Sequence, residues 1–171
     1  QWLAQLRVLQ GAINTRLLIT EKEQIGDMTG NILESLGPTL QNAEGLPVSI
    51  SDLQGKYVGI YFSAQWCAPC KAFTPKLIQT YKHVTETLGK PFEIVFVSSD
   101  RSQEAFDQYF GEMPWLALPF QQQDRRMQTG ARLAVDSIPK LVLLNPDGTL
   151  LSLDGRDLIS QDPEGATFPW A

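Results

Sequence analysis

The chain has 171 residues, of which 43% are hydrophobic and 19% charged, with a formal net charge of −5 at pH 7 and a pI near 4.8. This suffices for one domain with extensions, is too short for a second complete domain, and carries too much apolar residue for a disordered chain. Acidic and basic residues are mixed rather than blocked, so no basic face points to nucleic acid, and no apolar stretch reaches the ~18 residues of a membrane span.

In chain order, Trp2, Leu6, Leu9, Ile13 and Leu17 recur every three or four residues and predict an amphipathic helix over about 2–18. The charged, glycine-bearing stretch from Thr20 to Asn31 reads as a linker. Residues 1–36 therefore form a helical extension and linker, and 37–171 the main domain.

Short alternating segments at Thr39–Leu40 and Val48–Ile50 flank Asn42-Ala43-Glu44-Gly45 and predict a hairpin. Tyr57–Ser63 predicts a buried strand. Lys71–Leu88 predicts a helix with Phe73, Leu77, Tyr81, Val84 and Leu88 on one face, kinked at Pro75. Phe92–Ser98 is a second continuous apolar strand, followed by Asp100 as the expected N-cap of a helix holding Phe106, Tyr109 and Phe110. A strand, a helix and a strand imply a parallel pair with a right-handed crossover. Leu116–Phe120 predicts one more short strand and Asp124–Leu133 a short helix. Lys140–Leu144 and Thr149–Leu153 predict an antiparallel hairpin turned by Asn145-Pro146-Asp147-Gly148. The sum is an α/β chain with a mixed central sheet and helices on both faces.

The two cysteines of the chain stand together as Trp66-Cys67-Ala68-Pro69-Cys70, after the Tyr57–Ser63 run and at the head of a helical pattern. A thiolate is the reactive form of cysteine, and free N–H groups at a helix start stabilise it, so this placement points to a reversible dithiol/disulfide pair. A purely structural bridge closing so short a loop contributes only about 2 kcal/mol in the chain-entropy estimate. Zinc needs about four ligands, and the one histidine, His83, lies ~24 Å along the helix from Cys67 at ~1.5 Å per residue. Two buried inert thiols are the remaining alternative, against which Pro69 and the helix start argue.

A second feature is Ile138-Pro139, directly before the first strand of the terminal hairpin. An X-Pro bond is cis only about 5% of the time in folded proteins, so the residues alone favour trans. Taken together, the WCAPC helix start, the crossover and this Ile-Pro resemble the thioredoxin superfamily. Closer matches resemble its tryparedoxin/nucleoredoxin group: Tyr61-Phe62-Ser63-Ala64-Gln65-Trp66-Cys67, Phe73-Thr74-Pro75, Met113 through Phe120, Ser137-Ile138-Pro139 and Phe168-Pro169-Trp170. The similarity covers about 37–170.

The resemblance implies a thioredoxin-like fold with an N-terminal β-hairpin, to which this chain adds an extra N-terminal helix. It implies Cys67 as the attacking thiolate and Cys70 as the resolving thiol, with Pro139 in cis form beside them. Trp66, Ala68, Pro69, Ile138 and Pro139 would meet the substrate polypeptide, the backbone of Ile138 by strand-like hydrogen bonds. From the residues alone, a core position is the lesser alternative for Trp66 and at least an equal one for Trp115 and Tyr61. Thioredoxins usually carry a buried Asp where this chain has Tyr61; a phenol with pKa ~10 is a poor base but can position a thiol or water. Ser98-Ser99-Asp100-Arg101-Ser102 and Lys140 look more like nucleoredoxin than tryparedoxin, while Ala68-Pro69 replaces the two prolines usual in both.

The implied activity is protein-disulfide reduction through a mixed disulfide, with no metal and no organic cofactor beyond the Cys67–Cys70 couple. Alternatives are a redox-gated binding regulator of nucleoredoxin type and a tryparedoxin-like electron donor to peroxidases. Expected partners are disulfide-containing proteins and an upstream thiol reductant or reductase, with no nucleic acid and no membrane. The chain opens at Gln1 with no methionine, as a processed or partial piece would. It shows no charged-then-apolar leader, no Asn-x-Ser/Thr acceptor and no cysteine beyond the motif, so cytosol or nucleus is the expected location.

Overall fold

The structure, a computed structural model, describes residues 28–171. The helix expected over 2–18 and most of the linker after it lie outside the described residues.

Strands β1 (Thr39–Gln41), β2 (Pro47–Ser49), β3 (Tyr57–Ser63), β4 (Phe92–Ser98), β5 (Leu116–Ala117), β6 (Lys140–Leu144) and β7 (Leu150–Ser152) form one seven-stranded sheet in the order β2-β1-β5-β4-β3-β6-β7. The parallel pair expected between β3 and β4 runs from Tyr57 opposite Phe92 to Ser63 opposite Ser98. On the other flank of β3, β6 is antiparallel, with Val58 opposite Leu144 and Phe62 opposite Lys140.

The central strands are nearly continuous apolar runs because both of their faces are covered. Tyr61, Ile94, Phe96, Leu141 and Leu143 face one core, closed by α1 (Ala68–Lys82), α2 (Gln103–Phe110) and α4 (Gly155–Gln161) through Phe73, Leu77, Phe106 and Ile159. Val58, Ile60, Phe62, Val95 and Val142 face the opposite core, where Leu133 beside α3 (Gln123–Arg132) packs with Ile32, Leu33 and Leu36. Those three belong to a 3-10 turn, Ile32–Leu36, capped by Asn31, whose side chain accepts from the Leu33 N–H at 3.0 Å. This is the layered α/β architecture expected, with helices on both faces.

The details differ in physically interpretable ways. Helix α1 starts at Ala68 rather than Lys71 because Cys67 itself caps it, and past Lys82 it ends in one π-helical turn, His83–Thr87. Strand β5 stops at Ala117; Pro119, two residues on, has no N–H to continue the ladder. Ser102, not Asp100, is the N-cap of α2, its hydroxyl accepting from the Ala105 N–H at 3.1 Å. Helix α4 has only seven residues and was not anticipated. Its first residue must be glycine: a Cβ on Gly155 would meet the Leu141 carbonyl oxygen of β6 at 2.7 Å.

The C-terminus closes the first core. The Asp162 carboxylate accepts from the Ala166 and Thr167 N–H groups, the Thr167 hydroxyl and the Trp170 indole N–H. Trp170 thereby packs edge-on against Phe92 and Phe168, beside a cis Phe168–Pro169 bond. Among the described residues no helix is long and apolar enough to cross a membrane.

Candidate active site

Cys67 occupies the N-cap of α1 with extended backbone, φ −93° and ψ 109°. Its Sγ accepts the N–H of Cys70 at 3.3 Å, the bond that a serine or aspartate side chain makes at an ordinary N-cap. Ala68 and Pro69 complete the first turn and are exposed. Pro69 fits there because the first N–H groups of a helix have no partner within it. Cys67 and Cys70 are joined as a disulfide, with Cα atoms 5.2 Å apart.

The two sulfurs are not equivalent. Cys67 keeps 7% of its surface exposed and Cys70 none. Sγ of Cys67 also lies 3.8 Å from the Ile138 carbonyl oxygen, and Ile138 packs on the pair. The Ile138–Pro139 bond is cis, and Pro139 is buried immediately before β6.

The loop entering the motif is held from the end of β4. The Gln65 N–H donates to Asp100 Oδ1 at 2.7 Å, and the Trp66 indole N–H donates to the Ser99 carbonyl at 3.0 Å. The Ser99 N–H in turn donates to the Ser63 carbonyl at 2.9 Å. Asp100 is only 6% exposed and takes the Ser98 hydroxyl on its other oxygen at 2.7 Å. Arg126 reaches in from α3, donating to the Ser98 and Phe120 carbonyls. Burial lowers its guanidinium from the ordinary value, while Asp100 works in the opposite direction.

Trp66 is 55% exposed and lies at the rim rather than in the core, with the Arg101 guanidinium 5.2 Å from its ring centroid. Trp115, by contrast, is a core residue wedged edge-on between Tyr61 and Tyr81. Tyr61 is fully buried beneath α1, and burial pushes its phenol well above the ordinary value. It keeps its proton at any neutral pH and cannot serve as a base. Its hydroxyl is 2.7 Å from Thr74 Oγ1. His83, the C-cap of α1, stands a whole helix away from Cys67.

Two groups at this site were missed in the sequence. Asp100 was assigned to a helix cap and instead braces the Cys67 loop. Ser63, Thr74 and Tyr109 form a buried hydroxyl cluster with Tyr61 behind Cys70. A signal for the cluster existed in polar residues placed within otherwise apolar stripes, Ser63 closing β3 and Thr74 between Phe73 and Leu77.

The profile of a family described as thioredoxin-like matches residues 55–150. Nucleoredoxin of Danio rerio is 47% identical over 134 residues, which is 78% of this chain and 32% of that protein. Tryparedoxin of Trypanosoma brucei brucei is 45% identical over 125 residues, 72% of this chain and 85% of that protein. The chain thus spans about a third of the length of the nucleoredoxins it matches. The crystal structure of native tryparedoxin I from Crithidia fasciculata superposes with a TM-score of 0.75 at 39% identity, covering 80% of this chain and 95% of that one.

Proposed function

This chain belongs to the thioredoxin-like family, and on that footing we propose that it is a thiol-disulfide oxidoreductase that reduces protein disulfides through a mixed disulfide on Cys67. The observation that carries the reading is the inequality of the two cysteines: Cys67 keeps 7% of its surface exposed, with its Sγ under a helix-start N–H, and Cys70, one turn on, keeps none.

In the reduced form the Cys67 thiolate attacks one sulfur of a client disulfide, forming a Cys67–client bond as the client bond breaks. The departing client sulfur takes up a proton. Cys70 then loses its proton and attacks Cys67 Sγ, closing Cys67–Cys70 and expelling the second client sulfur as a thiolate. Two electrons have passed to the client, and an upstream thiol or reductase restores the dithiol. The Cys70 N–H holds charge on Cys67 in the first step. The exposed Trp66, Ala68 and Pro69 and the Ile138 backbone offer the client a contact surface, with the Ile138 carbonyl oxygen 3.8 Å from the Cys67 sulfur. Clients are disulfide-containing proteins, and the setting proposed is cytosolic or nuclear. A peroxidase in the client's place would make the same chemistry that of an electron donor.

The test is reduction of insulin by the whole chain with dithiothreitol as reductant. Turnover should vanish in Cys67→Ser; turnover unaffected by that substitution rejects the proposal.

A further inference from the structure

Behind Cys70 lies a set of groups for which the exchange chemistry above has no use. Thr74, 2% exposed and one turn along α1, places its Oγ1 2.9 Å from the Cys70 carbonyl oxygen, 2.7 Å from the Tyr61 hydroxyl and 2.7 Å from the Tyr109 hydroxyl. Tyr109 is in turn 2.9 Å from the Ser63 hydroxyl.

Counting protons fixes the direction of every bond. A carbonyl oxygen only accepts, so the single Thr74 hydroxyl proton goes to Cys70. Both tyrosines must then donate to the two Thr74 lone pairs, and Ser63 must donate to Tyr109. All the protons point toward the Cys70 peptide, with Thr74 as the hub and every hub valence used.

The hub reaches back to the turn where the helix is weakest. First turns of helices lack partners for their N–H groups and open at low cost. Here Pro75 additionally has no N–H to give to the Lys71 carbonyl. While the disulfide is closed, the S–S bond spans this turn; once Cys67 is bonded to a client, that tie is gone. The hydroxyl cluster remains, joining the Cys70 peptide to β3 through Tyr61 and to α2 through Tyr109.

We infer that Thr74 is a positioning residue for the resolving step, holding Cys70 within reach of Cys67 Sγ while the mixed disulfide exists. The inference rests on the exchange reading above, and it assigns Thr74 no part in the first attack.

Ellman's disulfide, bis(3-carboxy-4-nitrophenyl) disulfide, separates the two steps on the whole reduced chain. Attack by Cys67 releases one nitrothiobenzoate and leaves Cys67 bonded to the other. Cys70 then loses a proton to water, attacks Cys67 Sγ, and expels the second nitrothiobenzoate with the electron pair of the broken bond. In Thr74→Val the first release should keep its wild-type rate and the second should slow about fivefold, the effect of losing the one hydrogen bond that reaches the Cys70 peptide. Thr74→Ser, which keeps the hydroxyl, should restore the second rate. A second release in Thr74→Val as fast as wild type, equal slowing of both releases, or no rescue by serine overturns the inference. Should Thr74→Val fail to fold, Tyr109→Phe removes one donor to the hub and keeps the ring: slowing confined to the second release supports the role, and wild-type kinetics reject it. Failure of the oxidoreductase reading looks different, because wild type itself would then not accelerate insulin reduction, whatever its two release rates.

Discussion

Asp100 and Gln65, separated by 35 positions in the chain, meet in a 2.7 Å hydrogen bond that ties the loop carrying Cys67 to the end of β4. Because Asp100 is buried and also holds the Ser98 hydroxyl, its two oxygens fix the loop and the strand end at once. The Cys67 sulfur is therefore placed by the sheet as well as by its own helix.

Replacing Asp100 with alanine leaves the Gln65 N–H and the Ser98 hydroxyl without this acceptor, at a cost of about 1–3 kcal/mol. Urea unfolding should show that loss. Insulin reduction should fall with it, since the loop no longer holds Cys67 in one place. Unchanged stability and rate would show that the bond positions nothing.

Trp115 is 1% exposed, and its indole N–H finds no acceptor among the described residues. Trp115→Phe therefore gives up ring volume but no hydrogen bond, and should cost under about 1.5 kcal/mol, whereas Trp115→Ala should cost about 3–5 kcal/mol. Equilibrium denaturation of the two variants side by side checks this; equal losses would mean that the indole N–H is bonded after all.

Glu93 lies half-buried on β4, accepting from the Tyr81 hydroxyl at 3.0 Å and the Ile94 N–H at 2.9 Å. Burial raises its carboxyl above the ordinary value, and these two bonds with the charge of Lys56 offset only part of that. A carboxyl with a raised folded-state pKa favours the fold fully below its unfolded value of about 4.3, and the advantage is lost as pH rises through the folded value. Glu93→Gln should accordingly be more stable than wild type at pH 7, with the gain shrinking toward pH 4. A gain that is constant across this range, or a loss at pH 7, contradicts the sign.

The contrast between what could and could not be read from the chain follows sequence distance. Strands β3 and β4 were legible because a strand covered on both faces must be apolar at every position, as Tyr57–Ser63 and Phe92–Ser98 nearly are. The Cys67–Cys70 pair was legible because its meaning lies in four adjacent residues and the helix they start. Asp100 was misassigned because Asp100 and Ser102 are both good helix caps, and only the 35-residue contact to Gln65 decides between them. The hydroxyl cluster depends on contacts 13, 35 and 46 residues apart, so a polar residue in an apolar stripe marks a member without showing which others it meets. Helix α4 escaped because seven residues are too few for a periodicity to emerge, and its anchoring glycine is explained only by the neighbouring strand.

The sharpest test of the account is alkylation of the folded, reduced chain by iodoacetamide at pH 7, with the labelled peptide read by mass spectrometry. Cys67, the less buried of the two and the one whose sulfur sits under the helix-start N–H, should be modified first, with Cys70 protected until the chain is denatured. A Cys67 that stays unlabelled in the folded state, or a Cys70 that reacts ahead of it, contradicts the mechanism.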